Sequence, residues 1–185
     1  LFEAIAAEAL KKIATFTPQA HANTVWAFAT AGVAAPALFE AVAGEAPTKM
    51  AAFNSQDLAN TAWAYATACV AAPALFGAIA AEAQNKMATL VPQALANTAW
   101  AYATAGVAAP ALFKAVAAET LKKITMFESQ ALANMVWSYA TAGVTAPALF
   151  KAVAVEAPKK ITSFNSQALA NTVWAYATAG VAAPD

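Results

Sequence analysis

Apolar and polar residues follow a helical period along this chain. Between Pro36 and Met50, the apolar positions Phe39, Val42, Ala43, Ala46 and Met50 are spaced i, i+3, i+4, i+7 and i+11. That spacing is one stripe of an α-helix. Glu40, Glu45 and Lys49 fall outside it. A second segment, through Leu58, Ala59, Ala62, Trp63, Tyr65 and Ala66, is apolar nearly all round, which predicts a buried helix. Pro36, Pro73, Pro110 and Pro147 open the first kind of helix (helix A), because a first-turn residue needs no N–H. Pro47 and Pro158 sit late in helix A, where proline removes a hydrogen bond, so a kink or restart is expected there. Thr17, Asn54 and Asn165 suit the N-cap of the second kind (helix B), while Val91 and Glu128 at the same place cap poorly. Gly32, Gly106, Gly143 and Gly180 suit the left-handed residue that ends helix B. Cys69 holds that place in one unit as a drifted small residue.

The pattern repeats. Trp26, Trp63, Trp100, Trp137 and Trp174 recur every 37 residues, and so do Phe2, Phe39, Phe76, Phe113 and Phe150. The Asn23, Asn60, Asn97, Asn134, Asn171 and Gln19, Gln56, Gln93, Gln130, Gln167 columns share the interval. The prediction is an all-α fold, a right-handed α-solenoid of five 37-residue helix-turn-helix units. It forms one array over 1–185, with units at about 1–35, 36–72, 73–109, 110–146 and 147–185. A lone hairpin cannot cover such a surface; stacked hairpins bury their faces on each other. Neither end carries a polar capping unit, there is no starting Met, and Pro184 stands where a further helix A would open. A fragment of a longer solenoid is expected, with flanking repeats covering the ends.

Composition narrows the function. The chain is 61% hydrophobic and 11% charged, and ten lysines balance ten acidic residues with no arginine. That lacks the basic excess of a free-standing nucleic-acid binder. The uncharged run from Ile13 to Phe39 is broken by Pro18, Gln19, His21, Asn23, Gly32 and Pro36, too soon for a membrane span of about 20 residues. One Cys and one His exclude an internal disulfide and a zinc motif. With no nucleophile–base pair, carboxylate cluster or phosphate loop, neither an enzyme nor a cofactor is expected.

Several columns are candidates for a surface role. The tryptophans could stack bases, but their apolar setting places Trp26, Trp63, Trp100, Trp137 and Trp174 in the structural core. The asparagines are expected to form a buried hydrogen-bond ladder to backbone between hairpins, with ligand contact as the alternative. Lys12, Lys49, Lys86, Lys123 and Lys160 could track a phosphate backbone; alternatively they pair with the glutamates four residues earlier in a solvated row. Variable positions at the start of helix B, namely Thr17, Asn54, Val91, Glu128 and Asn165, with Asp57 in the next turn, are candidates for RNA readout.

The segments Leu58-Ala59-Asn60-Thr61-Ala62-Trp63-Ala64-Tyr65-Ala66 and Leu95-Ala96-Asn97-Thr98-Ala99-Trp100-Ala101-Tyr102-Ala103, with upstream Phe53-Asn54-Ser55-Gln56 and Phe16-Thr17-Pro18-Gln19, resemble the octotricopeptide and related heptatricopeptide repeats. The resemblance implies an organellar protein, of chloroplast or alternatively mitochondrion. It would bind single-stranded RNA selectively and act in its stability, processing or translation, each unit meeting about one base. The alternative is a protein-interaction scaffold within a large organellar assembly.

Overall fold

The computed structural model describes residues 1–181, and all regular structure among them is helical. Helices A are α1 (Phe2–Lys12), α3 (Pro36–Glu45), α5 (Pro73–Asn85), α7 (Pro110–Lys123) and α9 (Pro147–Glu156). Helices B are α2 (Pro18–Thr30), α4 (Ser55–Thr67), α6 (Pro92–Thr104), α8 (Ser129–Thr141) and α10 (Ser166–Ala179). Each B helix packs along its length on the B helices before and after it, whereas neighbouring A helices touch only locally. The result is an α-solenoid with a tight B layer and a looser A layer. The more closely spaced layer lies on the inside of a curved array, so helices B line the concave face. Pro184 lies outside the described residues.

Local chemistry sets the boundaries. Pro36, Pro73, Pro110 and Pro147 each occupy the first turn of their helix. Helix A changes to a 3-10 helix at Ala46–Ala52 and Ala157–Ser163, where Pro47 and Pro158 prevent the α-helical bond. In α5 and α7, which have no such proline, the α-helix runs further. Helix B ends in a Schellman turn: the N–H of Val107 donates to Tyr102 O and that of Gly106 to Ala103 O. The glycines have φ between 62° and 64°, and Cys69 takes φ 54° in the same place. A side chain in this left-handed conformation costs about 1–2 kcal/mol relative to the right-handed form.

The core lies between the layers. Phe39, Val42, Ala46 and Met50 are buried, as the helix A stripe predicts. Opposite them stand Leu58, Ala62 and Tyr65 of α4. Tyr65, Tyr102, Tyr139 and Tyr176 repeat one contact. Each ring meets a helix A phenylalanine edge-on, with centroids 5.0–5.1 Å apart. Each hydroxyl donates to that phenylalanine's carbonyl, as Tyr102 does to Phe76 O at 2.5 Å. Burial pushes these phenols up, Tyr176 to about 12. On the flanks of helix B, small residues such as Ala59, Ala64 and Ala66 are buried and let neighbouring B helices approach closely.

One core position is anomalous. His21 stands where later units have Leu58, Leu95 and Leu132. It is fully buried, lies between Phe16 and Phe53 at 5.6 and 6.3 Å, and neither ring nitrogen has a hydrogen-bond partner. Burial, and then the nearby Lys49, hold its pKa below the usual histidine value; Glu45 opposes them. The fold therefore holds His21 neutral, while the unfolded chain takes up a proton near pH 6.5. Stability is complete above that pH and falls as the pH drops through it. His21→Leu removes an unsatisfied buried group, a gain of about 1–3 kcal/mol. Urea melts at pH 7.5 and 5 should show a higher midpoint for the variant and a smaller loss on acidification.

Candidate functional site on the concave face

Helix B has two opposed sides. Gln56, Asn60, Trp63 and Thr67 follow i, i+4, i+7 and i+11, so they share one face. Leu58, Ala62 and Tyr65 lie about half a turn away and pack on the A layer. The Gln–Asn–Trp–Thr side therefore faces outward from the B layer, and every unit repeats it. The tryptophans form a ladder along the array with centroids 6.3–6.5 Å apart and interplanar angles of 27–38°. They are not the core. Trp26 and Trp174 are 43% and 45% exposed, and Trp63, Trp100 and Trp137 are half-buried against its edge. The buried aromatic of helix B is the tyrosine instead.

The asparagines also differ from expectation. Asn60, Asn97, Asn134 and Asn171 are only half-buried, and among the described residues their side chains take no hydrogen bond. Asn134 contributes only its main-chain carbonyl, which Ser138 donates to. The amides instead line a trough. A groove of about 410 Å³ between α6 and α8 is bordered by Gln93, Asn97, Gln130 and Asn134. Another of about 450 Å³ between α4 and α6 is bordered by Gln56, Asn60, Gln93 and Asn97. Gln93 and Asn97 border both, so the grooves run into each other.

Three of the readout candidates at the start of helix B make cap bonds. Thr17 accepts from the N–H of Ala20, and Asn165 from that of Ala168. Asn54 accepts from Gln56 and Asp57, and the buried Asp57 carboxylate accepts from the Asn54 N–H, completing a capping box. Val91 and Glu128 make no cap bond. Both are exposed at the trough's edge, where Glu128 is the one charged side chain exposed in the concave stripe among the described residues.

The lysine column is more than a solvated ion-pair row. Lys86 pairs with Glu82 at 2.8 Å and also donates to Ala51 O at 2.7 Å and Phe53 O at 2.6 Å of the preceding unit. Lys123 pairs with Glu119 and donates to Ala88 O and Leu90 O, each at 2.8 Å. Lys49 and Lys160 make the same three contacts. Each of these four ammoniums thus holds two carbonyls of the preceding unit and one carboxylate of its own. The accepting carbonyls belong to the break between helices A and B, where helical bonding stops. Lys12 pairs with Glu8 at 2.9 Å and is exposed. Lys122 and Lys123 together, Lys122 foremost, hold the Glu119 carboxyl below the usual carboxylate range.

Over residues 1–182 the sequence matches the family model described as RNA-editing substrate-binding complex 6 protein. The chain belongs to that family. This corrects the octotricopeptide resemblance. A chloroplast or mitochondrial location rested on that resemblance alone. No individually curated protein matches the chain. No helix of the described residues is long and apolar enough to cross a membrane. The exposed amide and indole rows are the surface that the sequence pattern misplaced. Their companions Gln56 and Thr67, polar and on the same side as Trp63, were the available signal.

Proposed function

We propose that the array is a non-enzymatic scaffold subunit of an RNA-editing substrate-binding assembly, holding a protein partner on its concave face. One observation carries this reading: among the described residues the concave stripe presents amides, indoles and hydroxyls but no lysine, and the recurrent lysines are engaged between units. A surface that grips RNA draws most of its affinity from cations on phosphates. The second reading, sequence-selective binding of single-stranded RNA in its stability, processing or translation, is favoured by the free amides and the tryptophan ladder, which suit base edges and base faces. Titrating a fluorescein-labelled uridine oligomer against the chain at rising salt separates the two. The scaffold reading expects no binding that depends on the concave residues. Binding that weakens steeply with salt and with Asn97→Ala would establish the RNA reading instead.

A further inference from the structure

We propose, resting on the scaffold reading, that the concave trough binds an extended segment of the partner polypeptide by its main chain, with basic side chains at alternate positions. Three features point to this occupant. The first is chemical: Asn60, Asn97 and Asn134 each offer a primary amide, a donor and an acceptor on one planar group. A peptide unit is the complementary neutral partner, and in these side chains both functions are unused within the fold.

The second feature is metric. An extended chain advances about 6.4–6.8 Å per two residues, and alternate residues face the same way. The indole ladder repeats every 6.3–6.5 Å. One unit therefore meets one dipeptide. At that spacing every second side chain reaches the ladder, beside the asparagine of the same unit.

The third feature is charge. Among the described residues the stripe's one exposed charge is Glu128, and indole faces attract ammonium and guanidinium groups. A polyanion finds no counter-charge there, whereas a lysine or arginine side chain lying over an indole finds an aromatic face, and Glu128 stands at the start of α8 farther along the trough. Main-chain hydrogen bonds supply affinity and the alternate side chains supply selectivity, as when a strand is added to an open edge.

The test uses the 185-residue chain and fluorescence anisotropy. The probe is a labelled peptide of alternating Lys and Thr, long enough to span the five units. Controls are the same peptide N-methylated at alternate residues, a Glu–Thr counterpart, and a uridine oligomer of similar length. The Lys–Thr peptide is expected to bind, and N-methylation to weaken it by about tenfold or more. The Asn97→Ala/Asn134→Ala double variant should do the same with an unchanged thermal melt. The N-methylated peptide tests the idea on unaltered protein. Binding that ignores both N-methylation and the double variant overturns the proposal, as does equal binding of the Glu–Thr peptide. If neither peptide nor uridine oligomer binds, this proposal fails and the scaffold reading stands. If the oligomer binds through Asn97 and Asn134, both fail.

Discussion

Tyr102→Ala is expected to lower the unfolding free energy by about 3–5 kcal/mol, the range for removing a large buried ring. The ring is 1% exposed, meets Phe76 edge-on at 5.0 Å, and its hydroxyl donates to the Phe76 carbonyl. Truncation opens a cavity between α5 and α6 in the third unit, with intact units on both sides. Tyr102→Phe keeps the ring and loses only the hydroxyl bond, so it should cost about 1 kcal/mol. Because stability in such arrays is a sum over units and the interfaces between neighbours, the alanine variant should also broaden the urea transition. Hydrogen exchange would then show amides of α5 and α6 opening before those of α3 and α8. An equal loss for both substitutions would mean that the hydroxyl bond, not ring burial, dominates at this site.

Lys123→Met should cost the next most, on the order of 2 kcal/mol, because it deletes charge-assisted bonds to Ala88 O and Leu90 O and one of two cations on Glu119. Methionine keeps the aliphatic stem, so the loss isolates the ammonium. Lys122→Met removes the other cation on Glu119, but Lys122 holds no carbonyl of another unit and is exposed. It should fall within the range of surface pairs, below about 1 kcal/mol. Urea melts of the two variants side by side give the contrast. Similar losses would reduce the clamp to an ordinary ion pair.

The sequence was explicit about the hairpins and silent about what joins them. The proline, cap and glycine signals lie within a few residues of the bonds they govern, so Pro47, Thr17, Asn54 and Gly106 could be read locally. The glutamate partner of Lys123 is also local, four residues back. Its carbonyl partners lie 33 and 35 residues away, and a backbone carbonyl leaves no mark in a sequence. Trp63 failed for a different reason. A helix that is apolar nearly all round has too weak a polar–apolar asymmetry to say which side faces out. Side chains of similar apolarity, Trp63 and Tyr65, sit two residues apart on opposite sides. Only the polar company each keeps along its own face distinguishes them. Thr17, Asn54 and Asn165 suit both a cap and a contact by residue type, and each makes the cap bond.

The lysine clamp grips main-chain oxygen, which every amino acid carries. Whatever residues fill the preceding break, the catch finds the same two atoms in the same place. For this contact a copied unit needs no matching side chain in its new neighbour, which eases lengthening of the array by duplication while outward-facing residues diverge.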